Sequence, residues 1–368
     1  MDKLKKFFLR KDVVFTMQRY GIGALGAMAQ GLFCTLLVGT ILNTIGQQFG
    51  IAFLNQVIVT IGSGEGAASY TIGGLASAMV GPGIAIAIGF ALHCPPMVLF
   101  SLIPVGFAAN AMGGAGGPLS VYFVAIVAAE CGKLVSKETR VDILVTPIVT
   151  ILAGIGFAWL VAAPIGAAAA AVGDFVKWAT VLQPFFMGIL VSVVIGVALT
   201  LPISSAAICA ALGLTGLAGG AAVAGCCAQM VGFAVMSFRE NRWGGLVAQG
   251  VGTSMLQMPN IVKNPRIWIP PTLASAITGP LATCLFHLEM NGAAVSSGMG
   301  TCGFVGQIGV YTGWVNDIAA GVKTGITAMD WIGLVLICFV LPAVLSTIFC
   351  QILRKWGWIQ ENDLKLDL

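Results

Sequence analysis

Two ionisable residues stand close together near the end of an apolar stretch, His287 and Glu289, in Leu285-Phe286-His287-Leu288-Glu289-Met290-Asn291. A carboxylate that accepts from hydroxyl groups, beside an imidazole that can relay a proton, suits a carbohydrate site. A solvated helix end would use the same two residue types. Glu65, within Gly62-Ser63-Gly64-Glu65-Gly66, is a further acidic residue in apolar surroundings and fits a site or a turn equally well. Charges at membrane depth are costly enough to mark function by default. The uncharged polar residues form a larger set: Gln30 and Gln229 in apolar stretches, then Gln249, Ser254, Gln257 and Asn260 along one segment, with Ser204-Ser205 after Pro202. Amides both donate and accept, as a neutral polyhydroxylated ligand requires, although hydrogen bonding between helices is their commoner use in bundles.

The remaining candidates read more plainly. His93 precedes Cys94-Pro95-Pro96 and reads as a helix-end residue, Asp330 as an interfacial cap, and Glu240, between Arg239 and Arg242, as part of a solvated loop. The ten cysteines lie in apolar runs without metal-type spacing and read as buried thiols. No Walker A motif, HExxH sequence, arginine-rich voltage sensor or TVGYG filter occurs. The expectation is therefore no metal, no cofactor and no catalytic residue carried by the chain itself.

The elements that must position these residues are set by composition. Of 368 residues, 58% are hydrophobic and 9% charged, and the mean hydropathy is +0.97. A water-soluble domain carries about 25% charged residues. The expected class is an all-α polytopic membrane protein. At roughly 20 residues per crossing, the length allows about ten transmembrane helices. Interruptions at Pro95-Pro96, Gly113 to Pro118, Pro270-Pro271 and Ser297 to Gly306 read as re-entrant hairpins or broken helices. Non-helical backbone at membrane depth needs protein or a water-filled cavity to satisfy it, so these breaks are expected to line a site. The net charge of +4 comes from short basic clusters between apolar runs, the pattern of cytoplasmic loops and not of a nucleic-acid surface. Six Lys/Arg before residue 21, with no small-residue cleavage site after them, argue against a removable leader.

A repeat organises the chain. Leu75-Ala76-Ser77-Ala78 with Gly81-Pro82 recurs as Leu273-Ala274-Ser275-Ala276 with Gly279-Pro280, 198 residues on, and Ala29-Gln30 recurs as Ala228-Gln229, 199 on. Met112 to Gly117 has a looser counterpart in Gly298 to Gly303. Basic residues swap ends between the copies: Lys11 and Arg19 precede the first, whereas Arg239 and Arg242 follow the opening helix of the second. That swap is expected of an inverted repeat, an arrangement of transporters. The organisation read from the sequence is an N-terminal cytoplasmic tail over 1–20, a first membrane repeat with linker helices over 21–200, a second over 203–350, and a cytoplasmic tail over 351–368.

Longer motifs add a resemblance. Pro202-Ile203-Ser204-Ser205-Ala206-Ala207-Ile208, Gly225-Cys226-Cys227-Ala228-Gln229-Met230-Val231-Gly232-Phe233, Gly252-Thr253-Ser254-Met255-Leu256-Gln257 and Lys263-Asn264-Pro265-Arg266-Ile267-Trp268-Ile269-Pro270-Pro271 resemble EIIC-type membrane subunits of the bacterial phosphotransferase system, in the perfringolysin O regulator-like branch. Gly132 to Lys137 and Gly298 to Thr301 join them, and the resemblance runs from about residue 15 to 350. It implies a homodimeric sugar permease of the elevator type in the bacterial inner membrane, both termini cytoplasmic. A separate EIIB subunit would phosphorylate the solute, since no EIIA or EIIB domain is fused here. Basic residues at Lys133, Lys137, Arg140, Arg239, Arg242, Lys263 and Arg266 would suit docking of that subunit or simply obey the positive-inside rule. Better-known sugar subunits use an embedded His and Glu at the reactive hydroxyl; giving that role to His287 and Glu289 rests on residue type, not on an aligned motif. The branch name points to toxin regulation, which keeps a non-transporting regulator as a second reading. An ion-coupled secondary transporter, with Glu65 or Glu289 titrating, is a third.

Overall fold

The computed structural model describes residues 2–62 and 67–366. Helices dominate; among the described residues the strand structure is a small hairpin, β1 (Val59–Ile61) antiparallel to β2 (Ala68–Tyr70), in which Thr60 faces Ser69. The chain divides into two compact units, residues 1–167 and 168–368.

Unit 1 opens with α1 (Asp2–Arg10), followed by α2 (Gln18–Gln48), which contains two wide π turns. After the hairpin come α3 (Ile72–Ala78) and α4 (Val80–Ala91), a pair bent by 54° at Met79. Next are α5 (Pro96–Gly113) and α6 (Gly117–Val135), then α7 (Asp142–Ala179), within which the two units divide. Gly114, at φ +52°, makes the turn that folds α6 back onto α5, a conformation open to glycine. Helix α4 packs against α2, α5 and α6.

Unit 2 contains α8 (Pro184–Thr200), α9 (Ser205–Leu212), α10 (Gly216–Met236), α11 (Phe238–Val247), α12 (Met258–Lys263), α13 (Ile269–Pro280), α14 (Val305–Ala319) and α15 (Ala328–Lys355). Helix α10 is its centre: 94% of its most apolar window is buried, against 22% for α7. The reason lies in its sequence. Small residues from Gly216 to Ala228 let α8, α13 and α15 close to backbone contact. A Cβ on Gly220 would stand 1.6 Å from the carbonyl oxygen of Leu288.

Five stretches are long and apolar enough to cross a membrane, or six if the bent pair α3–α4 counts as one span: 18–48, 96–135, 142–179, 216–236 and 328–355, with 72–91 as the sixth. The all-α polytopic class is as expected, and breaks divide much of the other apolar sequence into short helices. Capping follows local chemistry. Ser204 accepts from the Ala207 amide at the start of α9, and Thr327 and Asp330 form a reciprocal capping box at the start of α15. Asp330 also pairs with Lys323 at 2.7 Å.

The repeated segments occupy similar places in each unit. Helix α2 packs on α4 as α10 packs on α13. Ser77 donates to the Leu36 carbonyl of α2, and Ser275 to the Gly225 carbonyl of α10, both at 3.4 Å. At Gly81 an added Cβ would meet the Gly106 carbonyl at 2.2 Å; at Gly279 it would meet that of Gly188 at 2.1 Å.

Candidate functional site

In unit 2 the uncharged polar residues are joined into two buried assemblies. The first centres on Gln229, which has no exposed surface. Its Oε1 accepts from Trp268 Nε1–H at 2.9 Å and from the Thr200 hydroxyl at 3.3 Å, while its Nε2 donates to Thr272 Oγ1 at 3.3 Å. Ser254 Oγ lies 2.8 Å from Thr200 Oγ1. Gln229 retains a second amide hydrogen for another acceptor.

The second assembly is a ladder of amides. Gln249 Nε2 donates to Ser237 Oγ at 2.9 Å and to the Gly245 carbonyl at 3.0 Å, and Gln249 Oε1 accepts from Gln257 at 2.8 Å. Gln257 Oε1 in turn accepts from Asn260 at 2.9 Å. The remaining donors reach residues 358–366, which lie across this ladder as a strap. Gln257 donates to the Leu364 carbonyl at 3.0 Å and Asn260 to the Lys365 carbonyl at 2.8 Å. Asn241 brackets the strap by donating to Leu364 and accepting from the Leu366 amide, and Asn264 donates to the Trp358 carbonyl and to Asp363. Ile359, Leu364 and Leu366 are buried beneath. No charged side chain donates or accepts within either assembly, apart from Asp363 on the strap.

His287 and Glu289 lie elsewhere, on a non-helical segment in which His287 stands at φ +45°. Its Met290 exchanges two backbone hydrogen bonds with Gly216, which stands at φ +64° at the start of α10. Leu288 and Met290 are buried in the core, and His287 and Glu289 are both exposed. Asn291 links Glu289, at 3.0 Å, to Asp317, at 2.9 Å.

The other sequence candidates separate. Gln30, the repeat counterpart of Gln229, is exposed on α2 in unit 1. Glu65 lies outside the described residues. Glu240, expected in a solvated loop, is instead on α11 with its side chain 7% exposed and paired with Arg354 at 2.5 Å.

Sequence reasoning passed over a cluster in unit 1. Lys133, expected on a basic loop, is on α6 and 2% exposed, 3.0 Å from Glu130 one turn earlier. Its ammonium donates to the carbonyls of Asp12 at 2.7 Å and Leu92 at 3.1 Å. Arg19 also donates to the Leu92 carbonyl, at 2.7 Å, and pairs with Asp12 through both guanidinium nitrogens. Tyr20 donates to Glu130 at 2.9 Å. Two cations thus meet the carbonyl end of α4, where the helix dipole favours positive charge. The hydrogen bond from Arg19 holds the Asp12 carboxyl down to about 2, and burial pushes the nearby Cys94 thiol up to about 12. The sequence signal was the Glu-x-x-Lys spacing in an otherwise apolar helix, a neutral pair that can be buried together.

No metal-ligand cluster occurs among the described residues. Long and broken apolar helices around uncharged hydrogen-bonding assemblies define a polytopic membrane protein. A family model described as "Phosphotransferase system, EIIC" matches residues 22–366, and the chain belongs to that family. No curated protein and no solved structure matches it.

Proposed function

We propose that the chain is the sugar-translocating EIIC subunit of a phosphotransferase system, with its solute phosphorylated by a separate EIIB subunit in the bacterial inner membrane. The observation that carries this reading is the family match over nearly the whole chain. The motifs quoted above favour the perfringolysin O regulator-like branch within that family. A sugar presents hydroxyls that both donate and accept, and the Gln229 and Gln257–Asn260 assemblies offer matching groups without a net charge. Ser254 contributes a hydroxyl to the first. The carbonyls of Leu364 and Lys365 accept from Gln257 and Asn260 as solute oxygens would. Solute entry there requires the strap to lift. Glu289 and His287, both exposed, supply a second contact, and Gln30 a third in unit 1; Glu65 is proposed on its residue type alone. The repeat, with equivalent helix pairs packed in both units, supports an elevator-like transporter.

The test is uptake of labelled sugars into membrane vesicles carrying this chain. Accumulation as sugar phosphate is expected when phosphoenolpyruvate and a phosphorylated EIIB are supplied. Uptake driven by an ion gradient without them would replace this reading with a secondary transporter. Binding without flux would replace it with a regulator.

A further inference from the structure

We propose that a cationic cleft in unit 1 holds the phosphate headgroup of an anionic phospholipid. The cleft encloses about 440 Å³. Arg10, Lys11, Lys133 and Lys137 face two carboxylates across it, Asp12 and Glu138. The charges do not cancel. Asp12 is engaged by Arg19, which is outside the cleft wall, and Lys133 by Glu130. What remains is one oxygen of Glu138, shared by Arg10 at 2.6 Å and Lys11 at 2.5 Å, and Lys137, whose backbone amide donates to Asp142 at 2.7 Å while its ammonium has no carboxylate within ion-pair distance among the described residues. Three cations, Arg10, Lys11 and Lys137, therefore stand against two anions, Glu138 and Asp142, around a space open to a ligand. A phosphodiester supplies the missing negative charge.

The rim distinguishes a lipid from a soluble phosphate. On α1, Lys6 and Arg10 are one turn apart, and the Phe7 ring lies beneath the cleft's cations, 5.2 Å from the Arg10 guanidinium and 5.8 Å from the Lys11 ammonium. Phe8 meets Phe15 edge to face at 6.3 Å, and Phe15 itself is 75% exposed. Just beyond Lys137, Val141, Ile143 and Leu144 are all exposed at the start of α7. Exposed apolar side chains on both flanks of a cationic cleft match the acyl chains and headgroup of one amphiphile. A basic helix of this kind lies at the membrane interface, and each nearby Lys or Arg strengthens binding to anionic lipid.

The experiment uses the full chain in detergent micelles, titrated with dioleoyl phosphatidylglycerol, with dioleoyl phosphatidylcholine, or with inorganic phosphate, while thermal unfolding is followed. Phosphatidylglycerol should raise the midpoint and the other two should not. Lys137→Gln and Arg10→Gln should each raise the phosphatidylglycerol dissociation constant about fivefold, while Lys355→Gln, which does not line the cleft, should leave it unchanged. Both cleft residues are exposed at the surface, so the variants should fold, which their own unfolding midpoints check. Equal stabilisation by phosphatidylcholine, equal stabilisation by inorganic phosphate alone, or unchanged affinity in Lys137→Gln would each overturn the proposal. None of these outcomes depends on sugar transport.

Discussion

Gln229 shows how little of a side chain's role is decided by its type. Its repeat counterpart Gln30 sits on an equally apolar stretch yet is exposed, while Gln229 is enclosed and holds three partners. Nothing in the local sequence separates them, because the difference comes from Trp268, Thr200 and Thr272, which are brought in from other helices. Replacing Gln229 by Leu leaves the Trp268 indole N–H without its acceptor and takes one partner each from Thr200 and Thr272, which keep Ser254 and the Trp268 carbonyl. A loss of about 2 kcal/mol or more is expected, read as a lower unfolding midpoint, with Trp268→Phe costing about half as much. Asp12 makes a pH prediction. Its folded-state pKa lies below the ordinary 3.8, at about 2. The stability it contributes is therefore complete above about pH 4 and is lost as pH falls from there towards 2. With the side chain 49% exposed, screening limits the contribution to about 1 kcal/mol. Asp12→Asn should lower the midpoint at pH 7, and the gap from wild type should close by about pH 2.

Among the elements, α10 was legible as an apolar stretch but not as a centre. Its glycines and alanines read equally well as loose, lipid-facing sequence; only the close approach of Leu288 and Ser192 shows that they are contact points. Gly220→Ala should force α10 away from the Leu288 carbonyl and abolish a monodisperse folded peak in size-exclusion chromatography. Gly156→Ala on α7 meets nothing within 4 Å and should leave that peak intact, with stability unchanged or raised by up to about 1 kcal/mol. The same limit explains Lys133. Charge counting assigns basic residues to loops, and it fails where a carboxylate one turn away, a tyrosine and two backbone carbonyls neutralise the site from within. Glu240 was misplaced for the same reason, since its partner Arg354 is more than a hundred residues distant.

At the scale of the whole molecule, composition alone carried the membrane class, and the longer motifs carried the family. Composition could not fix how many apolar runs become long helices, because glycine and proline breaks do not declare whether they bend a span or end it. The bent pair α3–α4 is such a break, whereas Gly114 reverses the chain. Nor could sequence reveal the strap. Residues 358–366 are polar enough to read as a free tail, yet Ile359, Leu364 and Leu366 are buried and four amide side chains hold their backbone. A chain ending at Trp356 should unfold several degrees lower and show faster amide exchange at 254–264 than the full-length protein. Unchanged exchange there would mean that the strap contributes nothing to that region.

The strap also sets a timetable. Gln257 and Asn260 find their carbonyl partners 107 and 105 positions further along the chain. At about 5–20 residues per second of synthesis, the two amides leave the ribosome roughly 5–20 seconds before the groups that complete them. For that interval the nascent ladder must be served by water or by the insertion machinery, and the second unit can close its polar interior only as the last of its helices is already in place.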